Sequence, residues 1–255
     1  MRWIRLVFRL PPVLGLVLLG LLVAALRLRR PRGTPPDAGQ QAWVRRWLGW
    51  AARLLGVRLR VSGRPEPGPV LVVANHISWL DIVVLGAARP AVFVAKAEIR
   101  RWPVLGWLSA AAGTLFIRRG GKHAAEGVAQ AMRETLRAGV TVAVFPEGTT
   151  TDGRQVRRFH PRLLAAAQDA GVPVQPVALT YPHERGVHPA VPFTGDDTFL
   201  RSALRILGAR GIVAELRFCP ALAPREDRRR LAQEAYDCIA RVVRARHHPD
   251  GGASA

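Results

Sequence analysis

The sequence predicts an α/β domain with a mixed, largely parallel sheet flanked by helices, preceded by a membrane-associated pair of N-terminal helices. From residue 57 onwards, short apolar runs of strand length alternate with longer helical patterns, the order that produces a sheet covered by helices. The chain has 255 residues, 49% of them hydrophobic, which suits one sizeable domain and an appendage. We expect residues 1–56 to form the membrane-associated pair, 57–246 the domain, and 247–255 a disordered tail.

The first element is an uncharged run over residues 10–26, with arginines before and after it. As a helix it would be about 25 Å long, slightly short of a ~30 Å hydrocarbon core, so that spanning and shallow insertion both stay open. A cleaved signal peptide is the alternative, but a basic cluster directly after the run favours an uncleaved anchor. If the run spans, the heavier arginine load behind it places the domain in the cytoplasm, at the cell inner membrane.

The second helical pattern covers residues 41–56. Trp43, Trp47, Trp50 and Leu54 recur at i, i+4, i+7 and i+11, which places them on one face. Tryptophans accompanied by arginines suit the headgroup region of a bilayer. The alternative is a helix that packs on its own domain.

The remaining elements follow from periodicity and turn residues. We expect strands at residues 57–61, 70–74, 91–95, 114–117, 140–145, 174–180 and 212–218. We expect helices at residues 79–88, 104–111, 124–138, 161–170, 199–207 and 224–246. In such sheets, functional residues lie at strand ends and in the loops that lead into helices.

His76 and Asp81 follow the second predicted strand. Five residues along one helix correspond to roughly 500° of rotation, so the two side chains meet only if His76 lies in a loop and Asp81 in the first helical turn. Ser78 to Asp81 has the pattern of a capping box with Ser78 as the N-cap. A histidine oriented by a carboxylate at a strand-to-helix junction is typical of a general base, and nearby backbone amides suit an oxyanion. The alternative is a helix cap beside an ordinary polar histidine.

Three further segments carry candidate binding residues. Arg118 and Arg119 end a predicted strand, where forked guanidinium donors suit a phosphate. Glu147 begins a loop with Gly148 and Thr149, whose side chains and backbone could bind hydroxyls or an anion. Lys96 ends another strand. The alternatives are a solvated charge pair and a surface turn.

The net charge of +20 indicates an anionic partner, either a nucleic acid, a phospholipid surface or a phosphorylated substrate. A membrane-tethered nucleic-acid-binding protein is therefore one alternative, although the arginines are spread along the chain without a known nucleic-acid module. A lipid hydrolase using Ser78 is another, but the Gly-x-Ser-x-Gly turn is absent. Cys219 and Cys238 lack metal-ligand spacing, so we expect no metal.

Taken in order, these segments resemble the lysophospholipid (1-acylglycerol-3-phosphate) acyltransferase family. Residues 75–81 match its His-x4-Asp block, 113–119 the second block, 145–149 the third and 172–177 the fourth, and Lys96, Pro103 and Gly106 match the connecting segment. The resemblance implies a glycerolphosphate acyltransferase-like fold, with His76 as the general base and Asp81 orienting it. It further implies acceptor binding by Lys96, Arg119, Glu147, Gly148 and Thr149.

The resemblance also implies an activity. A fatty acyl group would pass from an acyl thioester, acyl-CoA or acyl carrier protein, to the free hydroxyl of 1-acylglycerol-3-phosphate, giving phosphatidic acid for phospholipid biosynthesis. The partners would be a phospholipid membrane and a lysophospholipid acceptor, with no nucleic acid and no cofactor beyond the thioester. The chain departs from the family at Arg118, usually Asp, and at Thr150, usually Arg. These departures keep a lyso-ornithine lipid open as the acceptor.

Overall fold

The computed structural model describes residues 2–27, 34–117 and 122–247. The helices are Arg2–Arg27 (α1), Ala38–Leu54 (α2), Leu80–Ala88 (α3), Leu105–Ala111 (α4), Lys122–Arg137 (α5), Ala165–Ala170 (α6), Phe199–Gly208 (α7) and Arg228–His247 (α8). The strands are Val57–Ser62 (β1), Leu71–Ala74 (β2), Val92–Lys96 (β3), Leu115–Ile117 (β4), Val142–Val144 (β5), Val174–Thr180 (β6), Pro182–His183 (β7), Gly186–Val187 (β8) and Ile212–Phe218 (β9). The predicted tail lies, from residue 248 onwards, outside the described residues.

The predicted fold class is confirmed. Seven strands form one sheet in the order β1-β9-β6-β2-β5-β3-β4, and every predicted strand takes part. All neighbouring pairs are parallel except β6 and β9, which are antiparallel. The central strand β2 is buried on both faces, which explains its uninterrupted apolar sequence.

Helices cover both faces of this sheet. One core contains Val72 and Ala74 of β2 with residues of α3 and α7. The other contains Leu71 and Val73 with residues of α5, α6 and α8. Because successive strand residues point to opposite faces, the inner strands β2, β5 and β6 supply both cores. Since β2, β5, β3 and β4 are parallel neighbours, their carboxyl ends lie along one edge, where the loops to the helices begin.

The N-terminal helix is longer than the predicted apolar run and begins at Arg2. Two of its arginines, Arg5 and Arg9, bind the domain rather than only flanking the apolar run. Arg5 Nε donates to Gly208 O (2.8 Å), and Arg9 Nη1 donates to Leu207 O (3.0 Å) and Ala209 O (2.9 Å). These carbonyls end α7, and a cation is stabilised at a helix carboxyl end.

The second helix packs on the domain through a different face from its tryptophans. Leu48 and Ala52 are buried, and Leu48 lies against Gly86 of α3, where an added Cβ would lie 2.4 Å from Leu48 Cδ1. Trp47 instead faces α1, and its Nε1 donates to Leu16 O (3.0 Å). The alternative, a helix that packs on its own domain, therefore holds for the face with Leu48 and Ala52, and the headgroup interpretation of the tryptophans stays a prediction.

The last helix begins at Arg228 rather than at residue 224. Asp227 Oδ1 accepts hydrogen bonds from the backbone N–H groups of Arg229 (2.8 Å) and Arg230 (3.2 Å). A carboxylate in this position satisfies the unpaired amides of the first helical turn, so the helix begins directly after it.

Candidate active site

The structure brings His76 and Asp81 into contact at the carboxyl end of β2. His76 lies in the loop after β2, and Asp81 lies in the first turn of α3. The distance from His76 Nδ1 to Asp81 Oδ2 is 2.8 Å. Asp81 is fully buried, whereas 18% of the His76 side chain is exposed. A buried ionised carboxylate accepts from Nδ1–H, so this pairing leaves Nε2 as the acceptor nitrogen.

Backbone amides hold the same carboxylate. Asp81 Oδ2 also accepts from the N–H groups of Ile77 (2.6 Å) and Ser78 (2.8 Å). One half of the predicted capping box is therefore present. The other half is not, because Ser78 Oγ accepts from the N–H of Leu80 (3.3 Å) and the residue before the helix is Trp79. The amides of Ile77 and Ser78 thus support the base and are not directed at an oxyanion.

Ser78 is 0% exposed and bonded to the backbone of Leu80. A hydroxyl in that environment has no access to a substrate carbonyl. The geometry therefore argues against Ser78 as the nucleophile of a hydrolase.

Glu147 lies behind the histidine, at the carboxyl end of β5. Its Oε1 accepts from the backbone N–H of His76 and its Oε2 from that of Arg157, both at 2.7 Å. The residue is 4% exposed. Burial raises its pKa to about 7, and the two backbone hydrogen bonds oppose this shift. The predicted role in acceptor binding stays a prediction, and the geometry adds a second role in holding two loops together.

Backbone and hydroxyl groups after Glu147 connect its loop to the histidine loop. The backbone N–H of Thr151 donates to His76 O (2.8 Å). Thr150 Oγ1 donates to Phe193 O, and the N–H of Phe193 donates to Ile77 O (3.0 Å). Thr150, which stands where the family usually has Arg, is thus part of the framework.

The remaining predicted residues lie along the same edge or outside the described chain. Lys96 ends β3, is exposed, and pairs with Ile117 in the sheet register. Gly148 has a φ of +71°, and its N–H donates to Phe145 O (3.1 Å) in the turn; Thr149 follows, half-buried. Arg118 and Arg119 lie outside the described residues.

Three supporting residues were not predicted. Tyr181 Oη donates to Asp81 Oδ1 (2.7 Å), and the Phe145 ring stacks on the His76 ring with centroids 4.0 Å apart. The Asn75 side chain bonds both backbone groups of Leu179. The sequence feature that could have identified them is their position at strand ends. Asn75 and Phe145 end apolar runs, and Tyr181 directly follows a buried run.

Within residues 2–27, 34–117 and 122–247, no group of three or more His, Cys, Asp and Glu side chains is arranged to hold a metal ion. Cys219 and Cys238 are both free thiols, and burial raises the pKa of Cys219 to about 12.

Comparison with known proteins identifies the family that the chain resembles. The Acyltransferase family model matches residues 57–180. The chain is 44% identical over 240 residues to a lyso-ornithine lipid O-acyltransferase of Pseudomonas aeruginosa, covering 92% of each chain. It is 36% identical over 219 residues to a 1-acyl-sn-glycerol-3-phosphate acyltransferase of Neisseria meningitidis, covering 85% of this chain and 86% of the relative.

A solved structure shares the fold. The crystal structure of the 1-acyl-sn-glycerophosphate acyltransferase PlsC from Thermotoga maritima superposes with a TM-score of 0.61 at 23% identity, covering 92% of this chain and 96% of that one. The family model and the near full-length relatives show that the chain belongs to the acyltransferase family.

Proposed function

We propose that the protein transfers a fatty acyl group from a thioester, acyl-CoA or acyl carrier protein, to the free hydroxyl of 1-acylglycerol-3-phosphate, giving phosphatidic acid. The observation that carries the proposal is the contact of 2.8 Å between His76 Nδ1 and a fully buried Asp81 carboxylate. This contact sits at the sheet edge where α/β folds place their sites. The protein is an acyltransferase that acts on lysophospholipids, and the acceptor head group is the finer part of the proposal.

The reaction follows from the tautomer that Asp81 fixes. Nε2 of His76 takes the proton of the acceptor hydroxyl while that oxygen attacks the thioester carbonyl carbon. When the tetrahedral intermediate collapses, the C–S bond breaks and the leaving thiolate takes the proton from Nε2. Asp81 stabilises the imidazolium between these two steps. General-base catalysis of this kind contributes about 10²–10⁴-fold. A thioester is already activated, so the reaction needs no cofactor beyond this co-substrate.

Acceptor binding is assigned to the residues that the family resemblance implies. Lys96 lies two strands from β2, about 10 Å away by normal strand spacing, and its side chain extends from the end of β3. We assign the phosphate to Lys96 and Arg119, and contacts with the glycerol part to Glu147, Gly148 and Thr149. The second acceptor candidate is a lyso-ornithine lipid, supported by Thr150 in place of the family's Arg and by the 44% identity with such an enzyme.

The acceptor is tested by competition. Purified enzyme in mixed micelles receives equal amounts of lysophosphatidate and lyso-ornithine lipid with one acyl thioester, and the products are identified by mass spectrometry. We expect phosphatidic acid to dominate. Dominant ornithine lipid would transfer the proposal to the second acceptor. Absence of both products, together with salt-sensitive DNA binding, would favour the nucleic-acid-binding alternative.

Membrane attachment is also proposed, through α1 on one leaflet of the inner membrane with the domain on the cytoplasmic side. Residues Arg2–Leu26 form a helix that is long and apolar enough to cross a bilayer, and most of its apolar side chains are not buried by the rest of the chain. However, α1 contacts the domain near its start, through Arg5, and near residue 20, where an added Cβ on Gly20 would lie 3.2 Å from Leu108 Cδ2. A helix docked along its length is suited to lie in the interface.

The outer face of α1 supplies the apolar contact. Its exposed side chains include Trp3, Val7, Phe8, Leu14, Leu18 and Leu22. The positive charge of the chain would add attraction to anionic lipids. Binding to vesicles that contain phosphatidylglycerol should fall about tenfold or more in Leu14→Asp and remain in Leu14→Ala. Equal binding of both variants would exclude this face as the contact.

A further inference from the structure

Tyr181 is a buried titratable residue that the proposed reaction does not use. It directly follows β6, and 1% of the residue is exposed. Its ring lies in the apolar core that also contains Leu80 and Val84 of α3. Its hydroxyl donates to Asp81 Oδ1 at 2.7 Å, across 100 residues of sequence. A phenol buried in an apolar core is thus directed at the carboxylate that orients His76.

The backbone around Tyr181 is fixed on both sides. Asn75 Nδ2 donates to Leu179 O (2.9 Å), and the N–H of Leu179 donates to Asn75 Oδ1 (2.8 Å). This side chain continues the pairing of β2 with β6 beyond Ala74 and Val177. On the other side, the N–H of His188 donates to Tyr181 O (2.8 Å). Asn75, the residue before His76, therefore helps to fix the backbone position from which Tyr181 reaches Asp81.

The two oxygens of Asp81 have different partners. Oδ2 accepts from His76 Nδ1 and from the amides of Ile77 and Ser78. Within the described part of the chain, the hydrogen bond to Oδ1 comes from Tyr181. Each hydrogen bond that a carboxylate accepts offsets part of its negative charge. Hydrogen bonds to a charged group are stronger than those between neutral groups.

We propose that Tyr181 is a positioning residue for acyl transfer. Its hydroxyl holds Oδ1 so that Oδ2 stays aligned with His76 Nδ1, and it limits how strongly the carboxylate stabilises the imidazolium. The inference rests on the proposed function of His76 as the general base. Burial and the Asp81 charge raise the pKa of Tyr181 well above its usual value, so the phenol remains a donor at every pH used for assay.

The inference predicts a shift in the pH dependence of kcat. The titratable groups that face the carboxylate are His76 from the β2–α3 loop, Tyr181 from the end of β6 and Glu147 from the end of β5. Without the Tyr181 hydroxyl, the carboxylate keeps more charge and stabilises the protonated imidazole more strongly. His76 is active when neutral, so the acid limb of the kcat–pH profile moves to higher pH.

The test is Tyr181→Phe, with Tyr236→Phe as the matched control. These are the two tyrosines of the chain, and Tyr236 on α8 packs edge-to-face on Phe159 at a centroid distance of 5.7 Å. In Tyr181→Phe we expect the plateau kcat to fall about 10- to 100-fold, because Asp81 Oδ1 is no longer held and Oδ2 loses its alignment with His76 Nδ1, a loss similar to that of one hydrogen bond to a charged group. The KM for lysophosphatidate should stay within about twofold, because Tyr181 does not contact the acceptor in the proposed reaction. Tyr236→Phe should match the wild type.

A second variant keeps the side chain in place. In the Tyr236→Phe background, global incorporation of 3-fluorotyrosine alters Tyr181 alone and makes its hydroxyl a stronger donor. The acid limb should then move to lower pH, opposite to its shift in Tyr181→Phe. Wild-type kcat and an unmoved acid limb in Tyr181→Phe would overturn the inference. So would a fall in kcat that parallels a lower Tm while the acid limb stays unmoved in both variants.

His76→Ala in the same assay separates the two claims. If His76→Ala keeps near-wild-type turnover, the proposed function of His76 fails. If His76→Ala is inactive and Tyr181→Phe behaves as the wild type, the inference about Tyr181 fails alone.

Discussion

Replacing Asp81 with asparagine removes one charge from the site and nearly preserves its hydrogen bonds. Oδ2 faces three N–H donors, so the asparagine oxygen takes that position. The asparagine NH2 group then replaces Oδ1 and donates to the Tyr181 oxygen, which can accept because the phenol O–H rotates. The Nδ1–H tautomer of His76 is therefore kept, and the loss that bears on His76 is the stabilisation of the imidazolium by a negative charge.

The size of the effect follows from that single loss. A hydrogen bond to a charged partner exceeds a neutral one by about 1 kcal/mol, and a charge pair near 4 Å contributes about 4 kcal/mol at an effective dielectric constant of 20. Asp81→Asn should therefore lower kcat by roughly 10- to 10³-fold. The acid limb of the profile should move to lower pH, because the protonated imidazole loses its counter-charge.

A double-mutant cycle provides the assay. The rates of Asp81→Asn, His76→Ala and the double variant are compared, with Tm as the check on folding. If Asp81 acts through His76, the double variant should be no slower than His76→Ala alone. Wild-type turnover in Asp81→Asn, or a full additional loss in the His76→Ala background, would refute the reasoning.

Two further variants test the surroundings of the pair. Because the pKa of Glu147 is raised to about 7, the folded state binds a proton that the unfolded state releases near 4.5, so the free energy of unfolding should fall by up to roughly 3 kcal/mol as pH rises between these values. Glu147→Gln should remove that slope in urea unfolding, and a wild-type slope in this variant would contradict the assignment. Arg9→Ala removes the donor to Leu207 O and Ala209 O and should lower stability by about 1–3 kcal/mol, whereas the exposed Arg46→Ala should stay at the wild-type Tm.

Local patterns were enough to predict the strands and the histidine–aspartate contact. Buried parallel strands such as β2 read as uninterrupted apolar runs, and all seven predicted strands lie in one sheet. His76 and Asp81 are five residues apart, so loop and helix geometry alone brings them together.

The rest depends on strand order, which local patterns do not contain. Glu147 reaches the His76 backbone from 71 residues away because β5 lies beside β2. Tyr181 reaches Asp81 because β6 lies on the other side of β2. In the same way, the sequence predicts Arg9 only as a charge that flanks an apolar run. The carbonyls that it binds, at the end of α7, lie about 200 residues further along the chain.

The central claim is that His76 is the general base of an acyl transfer to a lysolipid hydroxyl. Its most direct test is the turnover of purified His76→Ala with lysophosphatidate and an acyl thioester, measured as phosphatidic acid formed per enzyme. We expect a loss of about 10²–10⁴-fold with an unchanged Tm. Near-wild-type turnover by a folded His76→Ala enzyme would contradict the claim.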